Sequence, residues 1–228
     1  MFLMGQYALD LIVVFSAATA ILSIYLFKNS NAKEKLFSYY IIAIGFFEIL
    51  AYVWAHYLDS NNNLPGLHAY TLVQFILLTL FFKECLEELS VNFNSKWILV
   101  IGCLGIILNS MFVQSIFTYN SYSKSLVDLY VIIVSLSLFV FFIKDKNHDQ
   151  VNMNASVSFV SAVFMQSATS IIIYMFVNVI IEMKESRAKF IMDLRTLINY
   201  IALFIIVFGL WQIYTRVGIE IYKSNNSK

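Results

Sequence analysis

Glu48, Tyr52 and His56 recur every four residues in one apolar run, a spacing that puts a carboxyl, a phenol and an imidazole on a single helical face. Such groups do acid–base and hydrogen-bonding chemistry. In hydrocarbon an ionisable residue costs ~2.5–3.5 kcal/mol at a helix centre, so each one asks for a reason. Glu48 is the leading candidate. It reads as a proton-linked or ligand-linked switch, or as a neutral acid hydrogen-bonded to Gln74 or Asn109. Further along, His68 and Tyr70 open an apolar segment, and Gln74 follows Tyr70 by four residues. Gly102, Gly105 and Asn109 share one side of the next segment, followed by Gln114 and, past a short turn, by Tyr122. Lys124 and Asp128 stand at i, i+4, as do Arg195 and Asn199, with Asp193 just before them. Glu48, Tyr52, His56, His68, Tyr70, Gln74, Asn109, Gln114, Tyr122, Lys124, Asp128, Arg195 and Asn199 are the candidate lining of a ligand pocket.

The elements that must position them follow from composition. The chain has 228 residues, 60% hydrophobic and 13% charged, with mean hydropathy +0.76. Soluble domains average roughly 45–50% apolar and about 25% charged. Both departures have one cause, lipid as solvent. Seven segments are long and apolar enough to span a bilayer: 7–27, 37–58, 67–83, 97–117, 122–143, 157–181 and 190–214. None alternates like a strand, and in lipid each backbone group must be satisfied within its element, so the spans are helices. The expectation is an all-α polytopic membrane protein, a single bundle of seven transmembrane helices over 1–228 with no soluble domain. The first run contains Ala18-Thr19-Ala20, which resembles a cleavage site. It has no preceding positive charge and continues to Phe27, so it reads as a retained span.

Lysine and arginine set the expected orientation. Lys28, Lys33, Lys35, Lys83, Lys96, Lys144, Lys146, Arg216, Lys223 and Lys228 fall on one side. Only Lys124, Lys184, Arg187 and Lys189 fall on the other. The N-terminus is therefore expected outside and the C-terminus in the cytoplasm. Trp54, Trp97 and Trp211 lie near span ends, as an interfacial aromatic belt requires. Cys85 and Cys103 lack metal-ligand spacing and read as small apolar residues without a disulfide.

Several chemistries are excluded. A net charge of +1 offers no field for nucleic acid. The seventh span has no lysine for a retinal Schiff base. There is no Gly-x-Ser-x-Gly elbow, no phosphate loop and no His-Glu-x-x-His, so no catalytic residue, metal site or cofactor is assigned. His56, His68, Glu48 and Asp59 come from different spans and a loop, which makes a poor metal set. The single proline, Pro65, lies in a loop, and spans without proline argue against the broken-helix transporters.

Taken singly, each polar residue has a plain structural reading: Asp128 paired with Lys124, Asn109 and Gln74 in interhelical hydrogen bonds, and the histidines at headgroup level. Their concentration on five spans, mostly at one depth, points instead to a cavity open to the outside or to a buried polar network. Helical rise places Asp128 and Arg195 at nearly equal depth, about 9 Å and ~7–8 Å below the outer surface. Facing each other across the bundle is the expected arrangement, with Lys124 snorkelling to water.

The run His68-x-Tyr70-x-x-x-Gln74-Phe75, then Asn109-Ser110-x-Phe112-x-Gln114, then Asn120-Ser121-Tyr122-x-Lys124-x-Leu126-x-Asp128, resembles a family of small seven-helix integral membrane proteins widespread in Bacteroidota. That family commonly has Glu or Gln at Gln74, Arg or Lys at Lys124 and Glu at Asp128. Its last span typically reads Trp-x-x-His-x-x-x-Asn and then Gly-Phe-Trp, where this chain has Met192-x-x-Arg195-x-x-x-Asn199 and Gly209-Leu210-Trp211. The likeness covers nearly the whole chain except the sixth span. It implies a seven-helix fold and a companion of sensor kinases, with no chemistry assigned.

The expected function is a sensory or accessory module of the cell inner membrane. An outward-facing polar pocket binds a small ligand or lipid headgroup, and the module signals to a cytoplasmic partner. The lipid bilayer, a sensor kinase or other signalling protein, and a second copy of the chain are the expected partners. The alternatives are a small-solute or ion transporter or pore-forming effector, which needs a polar path to the cytoplasmic side, and an intramembrane enzyme using Glu48, His56 and His68.

Overall fold

The computed structural model describes residues 2–57, 64–144, 150–176, 179–180, 183 and 185–226. The expected 59–66, 144–156 and 182–189 connections lie wholly or partly outside those residues, as do Asp59 and the side chains of His56 and Met192. Among the described residues seven long helices are seen: α1 (Phe2–Leu26), α2 (Ala32–Tyr57), α3 (Leu64–Glu88), α4 (Ser95–Leu108), α5 (Ser121–Lys144), α6 (Gln150–Met175) and α7 (Glu185–Asn226). Each is long and apolar enough to cross a membrane, α4 when its closing turn to Val113 is included. The all-α seven-span reading holds.

Several helices run past their expected spans, α3 among them with Pro65 in its first turn rather than in a loop, and two stop well short. The fourth helix stops before 117. Its last turn, Asn109–Val113, widens so that the Gln114 N–H donates to the Asn109 carbonyl five residues back at 2.8 Å, and Gln114 itself is extended. The sixth helix ends at Met175, although the apolar run continues to 181. Hydropathy tracks the solvent, not the hydrogen-bond ladder, so it overruns both ends.

Helix contacts define a closed ring in the order α1, α2, α3, α5, α6, α7 and back to α1, with α4 packed on the outside of α3. The faces turned into the ring recur at helical spacing. On α1 these are Ile12, Ser16, Thr19, Ser23 and Leu26, and on α5 Lys124, Asp128, Val131, Ser135 and Leu138. Close approach needs small residues. A Cβ on Gly45 would lie 3.1 Å from the Ala20 Cβ and 3.3 Å from the Ser16 carbonyl, where α1 crosses α2. Thr19, Thr71, Ser137 and Thr169 donate to the carbonyl four residues back, so their hydroxyls need no water.

We call the end of the ring bearing the α2–α3 and α4–α5 connections the upper face. The lower half of the ring is a dry core. Phe37 stacks on Phe159 with ring centroids 4.1 Å apart and tilts against Phe81 at 5.0 Å. Phe82, Leu138 and Leu210 close around them, all essentially unexposed. Below the core, Arg216 of α7 donates to both oxygens of Glu34 at 2.8 Å, and Lys33 pairs with Glu88 of α3. Glu34 also completes a capping box. Its N–H donates to Asn31 Oδ1 at 3.0 Å, and the Asn31 N–H donates to Glu34 Oε2 at 2.9 Å.

Candidate functional site

The upper half of the ring encloses a cavity of about 280 Å³, and every ring helix contributes to its wall. Ile12 and Ser16 come from α1, Glu48 and Ala51 from α2, Tyr70 and Gln74 from α3, Lys124 from α5, and Arg195 and Asn199 from α7. The α6 wall is Gln166, Ser170 and Tyr174. No lining residue comes from α4, as its position outside the ring requires. Trp54, Leu64, Gly66 and Tyr119 carry the wall to the upper face. At the floor the Tyr40 hydroxyl donates to Gln166 Oε1 at 3.3 Å, directly above the aromatic core.

Six of the expected pocket residues therefore share one wall: Glu48, Tyr70, Gln74, Lys124, Arg195 and Asn199. Glu48 belongs to the inward repeat Phe37, Ile41, Ile44, Glu48, Ala51, spaced three and four apart along α2. Tyr52, one step round the helix, is half-buried and lies off the cavity wall.

The remaining candidates hold the α4–α5 connection instead. His68 is 6% exposed. Its Nε2 lies 3.1 Å from the Thr118 carbonyl, which only accepts, so Nε2 carries the proton and donates there. Its Nδ1 lies 2.8 Å from Ser110 Oγ. Asn109 Nδ2 donates to Gln114 Oε1 at 3.3 Å, and that oxygen also accepts from the Tyr122 N–H at 3.0 Å. Gln114 Nε2 donates to Ser121 Oγ at 2.8 Å. One side chain thus ties the widened turn of α4 to the first turn of α5, whose N–H groups lack helical partners. Asn109, Gln114 and His68 are a staple, not a ligand wall. Tyr122 points away from the ring and is 61% exposed.

The expected Asp128–Arg195 pair does not form. Asp128, wholly buried, pairs with Lys124, and Lys124 is 4% exposed and not snorkelling. The reason is the face of α5: both residues belong to its inward repeat, so the ammonium finds a carboxylate sooner than water. Arg195 is left without a carboxylate partner among the described residues. Its guanidinium lies over the Tyr174 ring, 5.5 Å from the centroid, and Lys124 Nζ approaches the same ring at 5.7 Å. Glu48 likewise has neither ion pair nor hydrogen bond among the described residues, and Gln74 Oε1 is buried without a donor.

Gln166, Ser170 and Tyr174 were not foreseen. The signal was present, three polar groups four residues apart on one face of α6, the same spacing that singled out α2. Glu34 was also overlooked, although Asn31-x-x-Glu34 has capping-box spacing. No group of three or more metal-ligating side chains occurs among the described residues. Trp97 and Trp211 are exposed, as a belt requires, whereas Trp54 lines the cavity.

Fold and site together define a seven-helix membrane bundle with a polar cavity in one half and an apolar core in the other. No family model, no curated protein and no solved structure matches the chain.

Proposed function

We propose that the protein is a sensory or accessory module of the inner membrane, with its N-terminus and upper face outside and its C-terminus in the cytoplasm. The cavity takes a small ligand or lipid headgroup, and the bound state reaches a cytoplasmic signalling partner such as a sensor kinase through α7. The kinship with the Bacteroidota seven-helix proteins belongs to the same proposal and rests on the residues quoted for it.

One observation carries the reading. The unbroken helix α7 supplies cavity residues Arg195, Asn199 and Leu203 and, further down, Arg216 of the lower-face pair. At ~1.5 Å per residue its 42 residues run about 63 Å, roughly twice the ~30 Å hydrocarbon thickness. A ligand that moves the upper end of a rigid helix moves its lower end as well. The aromatic core beneath the cavity disfavours a solute path. The test is a spin-label distance between Asn92 and Ile219, both exposed, in the full chain reconstituted with and without phosphatidylethanolamine. A shifted distribution is expected, with no solute flux in proteoliposomes. Flux through the protein would establish the transporter reading instead.

A further inference from the structure

The cavity wall carries two charged groups of opposite sign that form no salt bridge with one another. Lys124 is neutralised by Asp128. That leaves the Arg195 guanidinium on α7 and the Glu48 carboxylate on α2, both on the wall and neither paired among the described residues. The two helices are not neighbours in the ring, since α1 stands between them. Their register is set at the other end by the Glu34–Arg216 pair. From Glu34 to Glu48 is 14 residues of α2, about 21 Å. From Arg216 to Arg195 is 21 residues of α7, about 31 Å. By helical rise the backbone of Arg195 therefore stands about 10 Å nearer the mouth than that of Glu48.

We propose that the cavity takes a small zwitterion, its anionic group on Arg195 and its ammonium on Glu48 and Gln74. A simple anion would satisfy Arg195 and leave Glu48 facing like charge, and a simple cation would do the reverse. Buried charge is costly unless paired, so a ligand carrying both charges is the one that satisfies both walls. The hydrogen-bond inventory matches. Gln74, 3% exposed, presents an acceptor without a donor, and an ammonium brings three. The guanidinium fork fits a carboxylate or phosphate with two parallel bonds, and the nearby Asn199 amide adds another donor. About 280 Å³ holds one such molecule and little more. The shared chemistry is that of a free amino-acid-like solute or of a phosphatidylethanolamine headgroup. This inference rests on the cavity being a ligand pocket.

The test uses full-length protein in phosphatidylglycerol nanodiscs, with Trp97→Phe and Trp211→Phe leaving Trp54 on the cavity wall as the only fluorophore of its kind. The probes are glycerophosphoethanolamine, dimethyl phosphate and ethanolamine. Glycerophosphoethanolamine is expected to bind at least tenfold more tightly than either half. Glu48→Gln and Arg195→Gln should each weaken it at least tenfold, and only Arg195→Gln should affect dimethyl phosphate. Arg195→Lys, which keeps the charge and loses the fork, replaces the glutamine variant if that variant does not fold. Loss of the soluble probe's signal in phosphatidylethanolamine nanodiscs assigns the site to the lipid headgroup, and equal binding in both membranes assigns it to a free solute. Dimethyl phosphate binding as tightly as the zwitterion, with no effect of Glu48→Gln, overturns the proposal in favour of a plain anion pocket. Ethanolamine binding as tightly as the zwitterion overturns it in favour of a cation pocket. Absence of binding by any probe in either membrane overturns both the zwitterion and the pocket beneath it.

Discussion

Arg216 grips both carboxylate oxygens of Glu34 across 182 positions of sequence. The pair joins the first turn of α2 to the lower end of α7, with the Glu34 side chain 1% and the Arg216 side chain 13% exposed. Removing one partner of a buried pair strands the other, at a typical cost of ~3–5 kcal/mol, whereas replacing both is near neutral. Glu34→Gln is a clean probe, because glutamine still serves the capping box with Asn31. Glu34→Gln and Arg216→Gln should each lower the Tm of the solubilised protein, and the double variant should lose less than the sum. Additive losses would show that the pair carries no coupling.

The second cycle concerns Asp128, which pairs with Lys124 and not with Arg195. Sites that share no partner usually add within about 0.3–0.5 kcal/mol, and coupled ones do not. Asp128→Asn with Arg195→Gln, linked only through Lys124 and the shared Tyr174 ring, should therefore show the weaker coupling in thermal unfolding. Asp128→Asn with Lys124→Gln should be clearly less than additive. The opposite pattern would restore the pairing across the bundle.

Two glycines of α4 separate packing from propensity. A Cβ on Gly102 would fall 2.2 Å from the Phe75 ring, and Phe75 is 4% exposed with no room to retreat. Gly105 has open space around it. Gly102→Ala should destabilise by about 1–3 kcal/mol, the usual range for overpacking. Gly105→Ala should be neutral or stabilise by up to ~1 kcal/mol, since alanine is the better helix former. Equal effects in unfolding measurements would mean that α4 does not sit against α3 as described.

Orientation is tested directly by labelling. With Cys85→Ala and Cys103→Ala as background, a cysteine at Ser115, exposed beside the cavity mouth, should react with an impermeant maleimide in intact cells. A cysteine at Asn92, exposed on the lower side, should react only after lysis. The reverse would place the cavity mouth in the cytoplasm and overturn the bias of ten positive residues against four.

Composition alone determined that the chain is a membrane bundle, because hydrocarbon admits only long apolar helices with internally satisfied backbones. Polar spacing along the chain also marked Glu48, Gln74, Arg195 and Asn199 as wall residues, since intramembrane polarity is too costly to be random. Rotation of each helix was a different matter. A soluble helix shows its buried side as the apolar one, but here lipid and core are equally apolar, so the periodicity that would aim a side chain is nearly absent. Tertiary packing decided that Lys124 turns inward to Asp128, that Tyr122 turns out, and that α4 stands outside the ring, leaving Asn109, Gln114 and His68 to staple a connection. It also brought Gln166, Ser170 and Tyr174 to the cavity and set Arg195 and Glu48 at different depths of one wall. Those outcomes depend on which helices neighbour which, and that order comes from contacts between residues far apart in the chain.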